Sequence, residues 1–448
     1  MSFTSSASER FTPDPISKQS EPTKFQAITA RNFETIPQVQ HLTADDRFAI
    51  RVVSSVLPFR TNPYVVDNLI DWDNVPEDPI FRLVFPQRGM LQEKDFDRIA
   101  DILAREGPRQ ELDQAVAEIR GRLNPHPAGQ QELNIPKEDG EVFEGLQHKY
   151  NETVLFFPSQ GQTCHAYCTF CFRWAQFVQD EELKISAKDD ERLHRYLAAH
   201  PKVSDILVTG GDPMIMKTRV WERYLGRLID DPALDHIQNI RIGTKSLTFW
   251  PHRFVNDDDA DDMLRLMEKL VESGRHVAIM AHFNHGQELR TDIVKDAIRR
   301  IRDTGAVIRS QAPALAKIND DPDVWAGMWR EQVRLGIIPY YFFVERDTGP
   351  RHYFELPLVR CWEIFRDAVH QVSGLSRTVR GPSMSATPGK VEVTGVQEVQ
   401  GEKVFVLRFL QGRDPDWVAR PFFAKFDPQA TWLDQLEPAF GEERFFFE

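Results

Sequence analysis

The stretch that decides the fold reads Cys164-His165-Ala166-Tyr167-Cys168-Thr169-Phe170-Cys171. It holds three of the four cysteines in the chain. A disulfide framework would spread cysteines in even numbers along the sequence, so this group indicates a ligand cluster. Thiolates are soft ligands that suit iron–sulfur clusters or zinc. A C-x3-C-x2-C loop can hold three corners of a cubane cluster and leave the fourth iron open to a small molecule.

Zinc is the alternative metal for this loop. A structural zinc site has four protein ligands, usually from two C-x2-C units, and the chain has no second such unit. His165 could complete a site, although its place inside the first spacer would strain a tetrahedron. The spacing, with Phe170 directly before the third cysteine, resembles the signature of radical S-adenosylmethionine (radical SAM) enzymes. That resemblance implies a 4Fe–4S cluster on Cys164, Cys168 and Cys171, with S-adenosylmethionine and Phe170 beside it. Cys361 lies among apolar residues and is predicted to be a small buried hydrophobe.

Around this loop, short apolar runs alternate with longer charged segments of helical character. The apolar runs are residues 154–158, 206–209, 237–242, 276–281, 306–311 and 338–344. The helical segments between them include 189–199, 261–273, 291–303 and 323–334. This alternation predicts an α/β fold, a parallel sheet of six strands rolled into a partial (β/α)6 barrel. Ligands gather at the carboxyl ends of such strands, where the cysteine loop lies.

The pattern changes on both sides of the predicted barrel. We expect residues 1–41 to be a disordered or extended tail and 42–150 to be a mostly helical N-terminal region. The barrel is expected over 151–372. Two strand-like runs at 391–396 and 404–410, followed by many aromatic residues, predict a small C-terminal α+β extension over 373–448, as a lid or a subunit contact.

Composition excludes some classes of function. The formal net charge of −13 gives no general attraction for phosphate backbones, so nucleic acid is not an expected partner. No apolar run approaches the roughly 20 residues that cross a bilayer. The first 25 residues are polar and include acidic side chains, unlike a signal or transit peptide. We therefore expect a cytoplasmic protein without membrane contact.

A tight turn follows the second predicted strand and contains Gly210, Gly211 and Asp212. Two glycines expose backbone amides and let a ligand approach closely. In radical SAM enzymes the equivalent turn holds the amino group of the methionine moiety. The resemblance therefore implies that these three residues bind S-adenosylmethionine.

From about residue 56 to residue 393 the chain resembles the lysine 2,3-aminomutase family. The matching stretches include His148-Lys149-Tyr150, Val154-Leu155-Phe156, Arg241-Ile242-Gly243, His282-Phe283-Asn284-His285, Ile318-Asn319-Asp320 and Pro339-Tyr340-Tyr341. This resemblance implies pyridoxal phosphate joined as a Schiff base to Lys390, in a glycine loop spanning 383–390. It also implies cofactor contacts from Arg241, His282 and Gln311. Lys149 replaces one family arginine near the cofactor phosphate, and Thr153 occupies the position of a second.

The same resemblance implies which residues meet the substrate. Arg173, two residues after Cys171, matches the arginine that grips the substrate carboxylate through a guanidinium fork. Arg346 and Ser383 fall where lysine-specific members hold the distal ammonium with two aspartates. A guanidinium would repel an ammonium in a desolvated site, so we expect an acidic or neutral substrate. A one-residue shift would instead present Glu345 or Asp347.

The sequence thus predicts a radical SAM, pyridoxal phosphate-dependent amino acid 2,3-aminomutase, an isomerase. It would move an α-amino group to the β-carbon by way of a 5′-deoxyadenosyl radical. Its expected partners are an amino acid, a reductant such as flavodoxin or ferredoxin, and a second copy of the chain. Two alternatives remain open: a radical SAM enzyme without pyridoxal phosphate that performs epimerisation or desaturation, and a non-enzymatic iron–sulfur protein.

Overall fold

The computed structural model describes residues 24–124, 134–138, 140–178, 186 and 190–448. Within these ranges eleven strands form one sheet, and their order in the sheet follows their order in the chain. In the described chain the strands are β1 Ile28–Thr29, β2 Arg60–Thr61, β3 Lys137–Glu138, β4 Glu141–Val142, β5 Leu146–Tyr150, β6 Thr153–Phe156, β7 Asp205–Val208, β8 Asn239–Thr244, β9 His276–His282, β10 Val307–Ala314, β11 Ile338–Val344, β12 Arg380–Ser385, β13 Gly389–Val399, β14 Glu402–Gly412 and β15 Pro421–Lys425.

In the described chain, five α-helices precede the eleven-stranded sheet and the others lie between its strands in sequence. Those of the described ranges are α1 Ala44–Val56, α2 Pro63–Asn68, α3 Pro79–Val84, α4 Glu93–Ala104, α5 Arg109–Leu123, α6 Asp190–Ala199, α7 Thr218–Leu225, α8 Arg227–Asp230, α9 Ser246–Phe249, α10 His252–Val255, α11 Ala260–Glu272, α12 Asp292–Asp303, α13 Pro322–Arg334, α14 Arg351–Phe354 and α15 Leu358–His370. None of these helices is long and apolar enough to cross a membrane.

Strands β6 to β12 run parallel to one another, and the six strands predicted from the sequence are all among them. Strand β12 is a seventh parallel strand that the apolar pattern did not predict, because Gly381, Pro382 and Ser383 interrupt it. Strand β5 is antiparallel to β6, and β13 to β15 continue the sheet antiparallel to one another. The edge strands β5 and β15 do not pair in the described chain, so no closed barrel forms.

Alternation along the central strands separates the core from a cavity. In β8, Ile240 and Ile242 are buried and do not line the cavity, whereas Arg241, which points the opposite way, lines it together with Gly243 and the buried Thr244 at the end of the strand. Helix α13 presents Trp325 and Trp329 to Phe342 of β11. The apolar face of each strand is therefore packed under helices, while the other face is free to carry polar groups.

The flanking regions differ from the sequence expectation in two ways. Residues 24–41, assigned to the tail, include β1 and two 3-10 turns, and they bury Phe33 and Val39 in the core. Residues 1–23 of that tail lie outside the described residues. The C-terminal strands extend the main sheet and do not form a sheet of their own, because β12 pairs with both β11 and β13.

Candidate active site

A cavity of about 1110 Å³ lies against the polar face of the sheet. Residues from strands β6 to β11 line it, together with the cysteine loop and part of the C-terminal region. It brings together nearly all of the residues predicted from the sequence, namely Lys149, Cys164, Cys168, Phe170, Cys171, Arg173, Gly210, Gly211, Asp212, Arg241, His282, Gln311, Arg346 and Lys390.

The three clustered thiols face this cavity and are not disulfide-bonded. Burial raises the pKa of each above its ordinary value, to about 11 for Cys171. Cys361, in contrast, is buried within helix α15 and its thiol donates to Leu356 O at 3.8 Å. Three half-buried thiols on one cavity fit the donor set of an iron–sulfur cluster, because cluster iron stabilises thiolates that burial alone disfavours.

A single zinc ion and an iron–sulfur cluster differ in how close together their ligands must lie. Within the described ranges, no three His, Cys, Asp or Glu side chains converge closely enough to hold one metal ion. A cubane places each cysteine on a different iron corner, so its thiols can lie further apart than zinc ligands. His165 is also engaged elsewhere, since its Nδ1 lies 3.0 Å from Ser246 Oγ and its ring stacks on Trp250.

The N-terminal region fixes the conformation of the cysteine loop. Between the cysteines, Tyr167 N donates to Arg60 O at 2.8 Å and Thr169 N donates to Leu83 O at 2.9 Å. Thr169 Oγ donates to Arg82 O at 2.7 Å. Strand β2 and helix α3 thus satisfy backbone groups that a free loop would leave to water.

The Gly-Gly-Asp turn packs against the residues just before Cys164. Gly211 N donates to Gly161 O at 3.0 Å, and Asp212 N donates to Thr163 O at 2.7 Å. The glycines therefore allow close contact between two backbone segments, whereas the sequence predicted amides free for a ligand. Within the described chain both of these amides already have protein partners.

Asp212 is also occupied by the protein itself. Its carboxylate accepts hydrogen bonds from Thr244 Oγ at 2.7 Å, Ser246 Oγ at 3.0 Å, Lys245 N at 2.9 Å and Met214 N at 3.0 Å. Burial nevertheless raises the pKa of Asp212 above its ordinary value. The side chain joins the turn to the end of β8, so its structural role is clear while contact with S-adenosylmethionine stays a prediction.

Arg173 lies in the cavity without a carboxylate partner among the described residues. Its Nη1 donates to Gly210 O at 2.7 Å, and its guanidinium lies 4.6 Å from the centre of the Phe157 ring. Burial, together with the nearby charge of Arg346, lowers the pKa of Arg173 to about 10. An anionic group would stabilise this buried cation, as predicted for a substrate carboxylate.

Arg346 and both of its neighbours line the same cavity. Arg346 Nη1 donates to Ser385 O at 3.0 Å, and its Nε lies 4.0 Å from Asp347 Oδ1. Burial raises the pKa of Glu345 well above its ordinary value, which favours the neutral acid. Glu345, Arg346 and Asp347 therefore all meet the cavity, and the two registers considered from sequence are not mutually exclusive.

The side chains of His282 and Gln311 contact each other. His282 is the last residue of β9, and Gln311 lies within the neighbouring strand β10. Their Nε2 atoms lie 2.9 Å apart, so the amide donates to an unprotonated imidazole nitrogen. Burial and the nearby charges of Lys245 and Arg173 lower the pKa of His282 to about 3. A neutral imidazole held in one orientation can position an adenine or ribose group without adding charge.

Lys390 lies on a strand, not on the loop predicted from the sequence. It pairs with Ser385 of β12 and Gln411 of β14, and its Nζ lies 4.1 Å from the centre of the Tyr341 ring. Burial, with Arg241 and further cations nearby, lowers the pKa of Lys390 to about 7. An uncharged amine at neutral pH is the form that attacks a carbonyl.

Ser383 corrects the sequence prediction of a substrate contact. It is fully buried in β12 and is not among the described residues that line the cavity. It pairs with Glu392 of β13 on one side and with Phe343 of β11 on the other. Ser385, two residues further along the strand, lines the cavity.

Among the lysines and arginines that line the cavity in the described chain, two were not predicted from the sequence. Lys245 follows β8 directly and forms a buried ion pair with Glu288, and its Nζ donates to Asn284 Oδ1 at 3.0 Å. Arg413 follows β14 and lines the cavity near Lys149. A cation immediately after an apolar run was the available signal in both cases, since strand ends face the site.

The sheet, the cysteine loop and the glycine turn define a mixed α/β enzyme of the radical SAM class. No protein-family model matches the chain. An Aquifex aeolicus (strain VF5) protein named "Putative L-lysine 2,3-aminomutase" is 31% identical over 405 residues, which cover 90% of this chain and 94% of the relative. The chain belongs to the lysine 2,3-aminomutase family of aminomutases.

The more distant relatives include enzymes that are named for two different substrates. The L-lysine 2,3-aminomutase of Bacillus subtilis (strain 168) is 25% identical, over 77% of this chain and 63% of its own length. The glutamate 2,3-aminomutase of Clostridioides difficile (strain 630) is also 25% identical, over 71% of this chain and 64% of its own. A radical SAM methyltransferase structure from Sphaerobacter thermophilus overlaps 62% of this chain and 91% of that chain, at 14% identity and a TM-score of 0.34.

Proposed function

We propose that this chain is a radical SAM, pyridoxal phosphate-dependent amino acid 2,3-aminomutase whose substrate is acidic or neutral. One observation carries the proposal. A single cavity holds three half-buried thiols, the amine of Lys390 and two arginines, Arg173 and Arg346. The reaction is an isomerisation, so the substrate and the product contain the same atoms and no net oxidant is consumed.

The cofactors would supply the radical and an electron-accepting ring, while the protein supplies position and charge. Cys164, Cys168 and Cys171 would hold the 4Fe–4S cluster. His282 and Gln311 would contact S-adenosylmethionine, together with Phe170 and the glycine turn. The electron would come from a small reductant such as flavodoxin or ferredoxin.

Lys390 is the residue that we propose to bind pyridoxal phosphate covalently. Because the pKa of Lys390 is lowered to about 7, a large fraction of the molecules have an uncharged Lys390 amine at neutral pH. The ring of Tyr341 and the ring of Phe343, at 4.1 Å and 5.6 Å from Nζ, form an apolar wall beside it. The surrounding cations Arg241, Arg380 and Lys149 suit a cofactor that bears a phosphate.

Charge is the basis of the proposed substrate class. Arg173 would bind the α-carboxylate, and Arg346 would be a second buried cation near it. The Nε atom of Arg346 is buried and has no hydrogen-bond partner in the described part of the chain. A side-chain carboxylate or a neutral polar group would satisfy it, whereas an ammonium would be repelled. Glu345, held neutral by burial, would not offset that repulsion, whereas Asp347, whose Oδ1 lies 4.0 Å from Arg346 Nε, would offset part of it.

We also propose that the sheet curves into a partial (β/α)6 barrel. Residues that face one way from β6 to β11 line one cavity, which suits a sheet curved into a partial (β/α)6 barrel. The cysteine loop lies at the carboxyl end of β6. A radical generated there would be shielded from water by the sheet on one side.

The test is anaerobic turnover of a panel of amino acids, with mass spectrometry to detect β-amino isomers. Reconstituted wild-type protein should isomerise glutamate-like or neutral amino acids faster than lysine. Lys390→Ala should lose the isomer and also lose the pyridoxal adduct that borohydride fixes to the wild-type peptide. Lys425→Ala is the matched control, because Lys425 is exposed and pairs with Glu437 at 2.9 Å.

Two results would point to other functions. Cleavage of S-adenosylmethionine without any pyridoxal adduct would favour a radical SAM enzyme that acts without pyridoxal phosphate. Absence of S-adenosylmethionine cleavage under a strong reductant would favour an iron–sulfur protein without this catalysis. Fastest turnover of lysine would contradict the proposed role of Arg346.

A further inference from the structure

Three cations converge on the turn between β12 and β13, just before Lys390. Three consecutive carbonyl groups of this turn accept their hydrogen bonds: Ser385 O from Arg346 Nη1 at 3.0 Å, Ala386 O from Lys149 Nζ at 2.8 Å, and Thr387 O from Arg413 Nε at 2.9 Å. All three cations line the cavity. The turn therefore gathers positive charge beside the proposed cofactor lysine.

Arg413 reaches this place because of the pairing between β13 and β14. Gly389 lies opposite Gly412, and a Cβ added at Gly389 would lie 2.3 Å from Gln411 O. The close approach lets Arg413 N donate to Pro388 O at 3.1 Å. Its Nη2 donates to Asn134 Oδ1 at 2.8 Å. Backbone and side chain are thus both anchored, and the guanidinium faces the cavity in a fixed orientation.

Lys149 and Arg413 keep donors that none of the described residues accepts. Within the described chain their hydrogen-bond partners are neutral oxygens, and neither forms an ion pair with a carboxylate. Two cations held near each other without a counter-ion repel, and burial and Arg413 together lower the pKa of Lys149 to about 7. An anion between them would relieve both effects. A phosphate offers the oxygens and the charge that a guanidinium fork and an ammonium require.

We propose that Arg413, together with Lys149, binds the phosphate of pyridoxal phosphate, and this inference rests on the proposed function. Thr153 occupies the position where the family resemblance implies a phosphate arginine, and it lines the same cavity. Arg413, directly after β14, supplies the guanidinium that Thr153 lacks. The phosphate grip therefore joins the C-terminal strands to the main site.

The experiment compares pyridoxal phosphate with pyridoxal, which lacks the phosphate, by equilibrium dialysis against full-length protein carrying its reconstituted cluster. Arg413→Ala should weaken pyridoxal phosphate roughly 10- to 100-fold, the usual effect of losing charged hydrogen bonds, and leave pyridoxal unchanged. Arg413→Lys keeps a charge without the fork and should show a smaller loss. Arg444→Ala is the control, since Arg444 is exposed and does not line the cavity.

The outcomes separate this inference from the proposed function. Equal weakening of both ligands in both Arg413 variants, or no weakening of either ligand, would overturn the role of Arg413 while leaving the aminomutase proposal intact. Failure of the wild-type protein to bind pyridoxal phosphate at all would overturn both. If Arg413→Ala does not fold, the inference is decided by Arg413→Lys: a selective loss for the phosphorylated ligand supports it, and unchanged affinity refutes it.

Discussion

Gly211→Ala is expected to disrupt the cysteine loop from outside the ligand set. A Cβ at position 211 would lie 2.6 Å from Thr163 O, 2.7 Å from Thr163 N and 2.8 Å from Gln162 C. All three are backbone atoms, so no side chain can rotate away. Ordinary contact begins at 3.4 Å, so the two segments must separate by roughly 0.8 Å.

That separation costs energy in two ways. Overpacking of this kind destabilises a fold by about 1–3 kcal/mol. The same movement stretches the hydrogen bonds from Gly211 N to Gly161 O and from Asp212 N to Thr163 O, now 3.0 Å and 2.7 Å. Each contributes about 0.5–1.5 kcal/mol. We therefore expect the free energy of unfolding to fall by about 2–6 kcal/mol, through a disturbance located beside Cys164.

The assay is iron content after anaerobic reconstitution, with a urea unfolding curve of the same sample. Gly211→Ala should unfold at lower urea and retain less iron than the wild type. Gly327→Ala is the matched control: Gly327 lies in α13 and an added Cβ meets nothing within 4 Å, so stability should rise by up to about 1 kcal/mol. Wild-type stability and full iron loading in Gly211→Ala would refute the close-contact reasoning.

Three further predictions concern the site itself. Replacing Cys164, Cys168 or Cys171 with Ala should abolish iron loading and S-adenosylmethionine cleavage, whereas Cys361→Ala should leave both in place; an intact cluster in Cys168→Ala would exclude that ligand. Because the pKa of Lys390 is lowered to about 7, its uncharged amine should predominate above that pH. The rate of adduct formation should thus rise through pH 7 and level off, and a rise that continues beyond pH 9 would indicate an ordinary exposed lysine. Arg346→Asp should improve lysine relative to the wild-type substrate by about tenfold or more, measured as a kcat/KM ratio, since it removes a like charge; an unchanged ratio would place Arg346 away from the substrate.

Local sequence patterns were sufficient for the main parts of the fold. The six strands predicted from apolar runs all occur, because burial under helices imposes a composition that short windows reveal. Strand β12 was missed since Gly381 and Pro382 carry no such signal, and its position depends on pairing with β11 and β13. The sequence was sufficient to predict that the three thiols meet one cavity, because residues on one short loop lie near one another by chain geometry alone; their role as cluster ligands stays a prediction.

Only the tertiary structure decided which distant side chains share the cavity. Arg413 lies beside Lys149 because of the register between β13 and β14, and no local pattern encodes that register. The same pairing places Lys390 on a strand; in β12, Ser383 is buried and does not line the cavity, whereas Ser385 does. The sequence alone therefore determined the cysteine loop and the order of strands and helices, since both depend on neighbours in the chain. Long-range strand pairing and packing decided the environment of Lys390, because its charged neighbours come from strands far apart in the sequence.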